Sequence, residues 1–202
     1  MKKMLVSFVL DETGSMEIVK SQTISGFNEY IDTLKKEKNS ENILFTLTQF
    51  NSDKVSVVYD GVSLEKIVHL NNNTYSPKAT TPLYDAIGRT IHSLESNVNG
   101  KKQSVLVVIQ TDGEENASKE FNREKIFALI DEKKKLGWTF AYLGADQDAW
   151  AAAQLMGVSA GNTLSYTGAQ TKGAFRTVAT ATSNYVANSG TQTDSYFNQN
   201  KQ

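Results

Sequence analysis

Runs of consecutive apolar residues alternate along this chain with stripes of apolar residues spaced three and four apart. Met4 to Leu10 is apolar throughout save Ser7, as expected of a strand buried on both faces. After a polar turn, Ile18 or Val19, Ile24, Phe27, Ile31 and Leu34 mark one face of a helix, which the charged segment 35–38 closes. Ile43 to Phe50 and Lys54 to Tyr59 are rich in β-branched and aromatic residues and read as two strands. Only Asn51-Ser52-Asp53 separates them, which predicts an antiparallel hairpin. Ser63 to Leu70 reads as a short helical turn. Leu83, Ala86, Ile87, Thr90, Ile91 and Leu94 form the next helical stripe, with Pro82 in the first-turn position that tolerates a missing N–H.

Ser104 to Gln110 holds the strongest buried-strand signal of the chain. Arg123 to Leu136 follows as a helix with Ile126, Leu129, Ile130 and the Lys133 stem turned inward, ended by Gly137. Trp138 to Leu143 is a strand, and Asp146 to Met156 an alanine-rich helix with Asp146 placed to cap it. Trp138 and Trp150 are expected in the core, the second partly exposed. Leu164 to Tyr166 reads as a short edge strand, and Gly168 to Ala187 as a weaker helix through Phe175, Val178 and Tyr185. The last residues are polar and poor in apolar side chains. The chain therefore divides into a single domain over 1–187 and a disordered tail over 188–202.

Strands alternating with helices predict an α/β fold, a mainly parallel sheet with helices on both faces. The hairpin adds one antiparallel strand. A length of 202 residues fits one such domain.

Composition narrows the function by exclusion. Lys and Arg number 21 against 22 Asp and Glu, so no concentrated basic surface marks nucleic acid as the main partner. The absence of cysteine excludes disulfides, thiolate metal sites and cysteine nucleophiles. No run approaches the ~18–20 apolar residues of a membrane span. The apolar run at the start is short, ends at Asp11 and lacks a small-residue cleavage site, so it reads as a strand rather than a leader; a cytoplasmic location is expected.

In a parallel sheet, the loops leaving the carboxyl ends of the strands gather on one edge, where ligands bind. Three loops there share one chemistry. Asp11-Glu12-Thr13-Gly14-Ser15 follows the first strand, Thr80-Thr81-Pro82-Leu83-Tyr84-Asp85 leads into the second long helix, and Thr111-Asp112-Gly113-Glu114-Glu115-Asn116 follows the strongest strand. Each alone reads equally as a helix cap or a turn. Together they present hard oxygens, with neither His nor Cys, which suits Mg²⁺, Mn²⁺ or Ca²⁺ and disfavours zinc and copper. A cation held largely by neutral hydroxyls stays electron-poor and favours a carboxylate supplied from outside. Asp85, one turn into its helix, reads as a hydrogen-bond partner rather than a ligand. Glu12, Glu114 and Glu115 read as solvated loop charges, and His69 and His92 as structural or exposed.

Asp11-Glu12-Thr13-Gly14-Ser15 resembles the Asp-x-Ser/Thr-x-Ser signature of the metal-ion-dependent adhesion site of the von Willebrand factor A family. Thr81 to Ala86 resembles that family's second metal loop and Thr111-Asp112-Gly113 its third, in family order and within residues 4–165. The resemblance implies a Rossmann-like three-layer α/β/α sandwich whose third strand runs antiparallel. It implies a divalent cation, Mg²⁺ first and Mn²⁺ or Ca²⁺ as alternatives, with Thr13, Ser15 and Thr81 as hydroxyl ligands and Asp11 and Asp112 holding the metal directly or through water. Thr80 is adjacent to Thr81 and is the competing choice. The implied activity is non-catalytic: a protein-binding module in which a partner's Asp or Glu ligates the cation, with neither nucleic acid nor membrane as partner.

The rival reading is a Mg²⁺-dependent phosphoryl-transfer enzyme on a similar sheet. Phosphatases of the haloacid dehalogenase type also place an Asp after the first strand and use a second Asp two residues on as acid/base. Thr13 stands at that position, and a hydroxyl cannot transfer a proton as a carboxylate does at neutral pH.

Overall fold

The computed structural model describes residues 3–98, 103–146 and 148–198. Six strands form one sheet: β1 (Met4–Asp11), β2 (Ile43–Asn51), β3 (Lys54–Ser63), β4 (Ser104–Thr111), β5 (Thr139–Ala145) and β6 (Thr163–Tyr166). Their spatial order is β3-β2-β1-β4-β5-β6. All neighbours pair in parallel except β2 and β3, whose antiparallel hairpin was legible from the three residues between them. Asn51 closes that hairpin by accepting the backbone N–H of Asp53 and Lys54 on its side-chain oxygen.

Five helices complete the sandwich: α1 (Lys20–Lys35), α2 (Leu83–Asn97), α3 (Arg123–Lys135), α4 (Ala149–Leu155) and α5 (Thr171–Ala187). Successive residues of β1 point to opposite faces, as the pleat requires. Val6, Phe8 and Leu10 pack with Phe27, Tyr30 and Ile31 of α1 and Phe175 and Val178 of α5. Leu5 and Val9 pack on the other face with Ile87 and Ile91 of α2, Ile126 and Ile130 of α3, and Ala149 and Ala153 of α4. Gly26 on α1 and Phe175 on α5 lie so close that a Cβ on Gly26 would sit 2.6 Å from the ring, which is why the first helical stripe carries a glycine at its centre.

Several boundaries differ from the sequence reading, each for a local reason. β3 continues to Ser63 rather than Tyr59. Only Leu64–Lys66 of the segment 63–70 forms a helical turn; beyond it the backbone is bonded by α1, with the Asn28 side chain taking both the N–H and the C=O of Leu70. Pro82 is the cap residue before α2 rather than its first turn. Asp146 does not cap α4: it turns away at φ +50° and accepts the N–H of Gly168, while Asp148 caps the helix by accepting the N–H of Ala151. Trp138 is buried, but Trp150 is 50% exposed on the outer side of α4.

The largest difference concerns the expected disordered tail. Residues 189–196 run along the N-terminal edge of the sheet, where Ser104 of β4 donates to the carbonyl of Ser189 and the N–H of Thr193 reaches Thr139 of β5. Asn162, just before β6, bonds the carbonyl of Thr193 and the N–H of Tyr196. Tyr196 is fully buried, its hydroxyl 2.6 Å from that of Thr182 on α5. One aromatic anchor within a polar stretch offsets the entropy of ordering it. The remainder of the expected tail, 199–202, lies outside the described residues.

Replacing this anchor tests the packing. Tyr196→Ala is expected to destabilise the domain by about 3 kcal/mol or more in urea unfolding, the range for a buried aromatic truncated to alanine. A solvated tail would leave the midpoint unchanged.

Candidate metal centre

β1 and β4 are adjacent, but the chain leaves them toward opposite faces, through α1 after β1 and through α3 after β4. The crevice such a divergence opens is the usual ligand position of a parallel sheet. The last residue of β1 is Asp11 and the last of β4 is Thr111. The Thr111 hydroxyl donates to Asp11 Oδ2 at 2.6 Å, and Asp11 Oδ1 accepts the N–H of Thr13 at 2.7 Å. Asp11 thus ties the two strand ends together and folds its own loop back.

That loop presents hydroxyls to one point. Thr13 Oγ1 lies 3.3 Å from Ser15 Oγ, and Ser15 Oγ donates to Asp112 Oδ1 at 2.6 Å. Gly113 brings in the second loop: a Cβ built on it would lie 3.3 Å from Thr81 Oγ1 and 3.7 Å from Ser15 Oγ. A side chain here would press on the Thr81 hydroxyl, which would have to give by a few tenths of an ångström. Of the five residues singled out from sequence, Ser15 bonds Asp112 with Thr13 beside it, Asp11 braces their loop, and Thr81 approaches Gly113 from the second loop. Thr81 is buried and its hydroxyl faces Gly113, whereas Thr80 is exposed, its N–H bonded to the Ser52 hydroxyl.

The loops are latched by residues whose role the sequence concealed. Thr81 and Asn116 bond reciprocally, Thr81 N–H to Asn116 Oδ1 at 2.8 Å and Asn116 N–H to Thr81 O at 3.1 Å. The first N–H groups of α2 are capped from a loop some thirty residues later: Tyr84 donates to Glu115 Oε2 and Asp85 to Ser118 Oγ. Asp85 answers by accepting the N–H groups of Lys119, Glu120 and Phe121. It is a fastener of the third loop, in line with the partner role expected of it.

Glu115 and Glu12 are not the solvated charges expected. Glu115 accepts from Tyr84, Ala117 and Ser118. Glu12 is buried, accepts the N–H of Ser76 at 2.7 Å and faces Lys54 at 3.8 Å. Tyr75, the one aromatic in the polar segment 71–80, donates its hydroxyl to the carbonyl of Asp11 at 2.6 Å. An aromatic in an otherwise polar loop was the signal available for it. Backbone bonds from Gly14 to Ala79 and from Lys78 to Glu12 then seat this segment against the first loop.

The centre is negative, and among the described residues neither Asp11 nor Asp112 forms an ion pair. Burial raises the Asp11 carboxyl to about 6, against the lowering effect of the Thr111 and Thr13 hydrogen bonds, and nearby Asp112 raises it further. Burial also raises Asp112, with the Ser15 hydroxyl opposing. Lys54 and Lys78, on neighbouring segments, are turned to Glu12 and Asp53. Among the described residues no group of three or more His, Asp or Glu converges as a metal cluster. A cation held here must draw on hydroxyls as well as carboxylates, and the hard-oxygen set present fits Mg²⁺ or Mn²⁺.

The raised Asp11 pKa has a definite sign. Its folded value lies above the unfolded value of 3.8, so its contribution to stability is full below about pH 4 and is lost as pH rises through about 6. In thermal melts with a chelator present, Asp11→Asn is expected to be at least as stable as the native chain above pH 6. The difference should diminish on acidification toward pH 4. A stability difference independent of pH would show that Asp11 does not titrate as described.

Comparison with known proteins agrees with this fold. No curated protein matches the sequence. Among solved structures, the vWF domain of the type V pili tip protein Mfa5 from Porphyromonas gingivalis superposes with a TM-score of 0.69 at 12% identity, covering 95% of this chain and 97% of that one. The pilus adhesin SpaC from Lactobacillus rhamnosus GG matches at a TM-score of 0.66 and 13% identity over 91% of this chain, which spans only 30% of the adhesin. Manganese-loaded TRAP protein from Plasmodium vivax matches at 0.61 and 16% identity, over 85% of this chain and 71% of that one. At such identities these likenesses concern the fold. The von Willebrand factor type A domain family matches residues 6–182, most of the chain, and the protein belongs to that family.

Proposed function

We propose that this domain is a metal-dependent protein-binding module, in which a divalent cation, Mg²⁺ or Mn²⁺, completes its coordination with an Asp or Glu of a protein partner. What supports the reading is that Ser15 bonds Asp112 while the Ser15 and Thr81 hydroxyls both lie close to Gly113, so that three loops bring hard oxygens to one edge of the sheet. Thr13, Ser15 and Thr81 would hold the ion by their hydroxyls, and Asp112 by its carboxylate. Asp11 has both oxygens engaged within the protein, so its part is to set the loop and lend charge. When bound, the cation supplies a Lewis-acidic position for one carboxylate oxygen.

The same engagement of Asp11 speaks against a phosphoryl-transfer enzyme, because its oxygens are not presented as a nucleophile and Thr13 offers no carboxylate for proton transfer. The pilus adhesin SpaC and the manganese-loaded TRAP protein lend support by kinship of fold.

Calorimetric titration with Mn²⁺ and Mg²⁺ tests the reading. Thr81→Ala and Asp112→Ala are each expected to weaken metal binding by roughly tenfold or more. Because both lie on loops, the melting temperature of the metal-free variants should stay within about 4 °C of the native chain. Unfolding with metal affinity unchanged, or no heat of binding in the native chain, would refute the assignment.

A further inference from the structure

A groove of about 280 Å³ opens beside the proposed cation position. Its walls include Tyr84 at the start of α2, Gly113 and Glu114 of the third loop, and Asp148, Ala151 and Leu155 of α4. Gly113 is common to both places, since its Cβ direction points at the Thr81 and Ser15 hydroxyls.

The lining has a one-sided charge. Glu114, Glu115 and Asp148 contribute, and no Lys, Arg or His does. None of the three acids takes part in an ion pair among the described residues. The bonds that hold Glu115 come from neutral donors, as does the N–H that Asp148 accepts as a helix cap. Beside these acids lies an apolar wall of Ala151 and Leu155, the latter 48% exposed. Carboxylates above an aliphatic surface complement the long aliphatic stem and cationic head of Lys or Arg.

We propose that the groove takes a Lys or Arg side chain of the partner lying within two residues of the acid given to the metal. The recognised element is then an acid and a base close together in an extended segment, rather than an acid alone. In an extended strand two residues span about 7 Å, and side chains two apart share a face, so one short segment can fill both places. This inference rests on the metal-binding reading and adds the selectivity of the same site.

Peptides with one Asp and a variable neighbour two residues away test it. The full chain in saturating Mn²⁺ is titrated by NMR with three acetylated, amidated pentapeptides that differ only in Arg, Leu or Glu at that position. The Arg peptide is expected to bind roughly three- to tenfold tighter than the Leu peptide, and the Glu peptide weakest, with the Arg advantage shrinking in high salt. Glu114→Lys, on an exposed loop, should reverse the Arg–Glu order and leave Mn²⁺ affinity within about twofold, whereas Asp148→Asn, which still caps α4, should reduce the Arg advantage. Equal binding of the three peptides, an order that Glu114→Lys does not change, or no peptide binding to Mn²⁺-loaded protein overturns the groove's role while leaving the metal centre standing. Failure of Mn²⁺ itself to bind removes both.

Discussion

Two carboxylates at the ends of neighbouring parallel strands, Asp11 buried and Asp112 partly exposed, with neutral donors for partners and no ion pair among the described residues, constrain this edge of the sheet. Asp11 and Asp112 are kept by Thr111, Thr13 and Ser15, which offer dipoles in place of a counter-ion. Neutral partners of this kind reduce the cost of burial without removing the charge. The negative potential is therefore preserved in the fold, and the surrounding network exists to hold the oxygens where that potential is greatest. Asn116, Glu115, Ser118 and Asp85 fasten the second and third loops to each other. Tyr75 and the backbone bonds of Glu12 and Gly14 fasten the segment before Thr81 to the first loop.

The choice of hydroxyls over further carboxylates has a functional side. A cage of four or five acids would satisfy a divalent ion by itself and leave little affinity for another anion. In the proposed arrangement Asp112 is the one carboxylate to touch a divalent ion and the other direct ligands are hydroxyls, so positive charge would remain at the open position, which is the condition under which an external carboxylate is worth binding. The acidic groove beside the centre does not contradict this, because it is filled by a different part of the same segment and the two preferences are separated in space.

The sheet and the main helices were legible from the rhythm of apolar residues, since a strand buried on both faces and a helix buried on one leave distinct patterns. Loop order and chemistry likewise pointed to Ser15 and Asp112, whose bond follows from the adjacent parallel strands β1 and β4, whereas Thr81 is brought near them by the long segment after the antiparallel β3. What stayed hidden were interactions between residues far apart in sequence. α2 receives its caps from Glu115 and Ser118, so its own first residues carried no sign of them. Glu12 looked solvated because its acceptance of the Ser76 N–H depends on how a distant loop lies. Composition concealed the order of 189–198, because one buried tyrosine counts little in an average.

That terminal stretch follows the starts of β4, β5 and β6, on the rim of the sheet farthest from Ser15 and Asp112. Met4, the first residue of β1, lies on the same rim. Both described ends of the domain thus share one pole, and the loops of Ser15 and Asp112 occupy the other. A neighbour joined at the shared pole would leave the opposite one unobstructed.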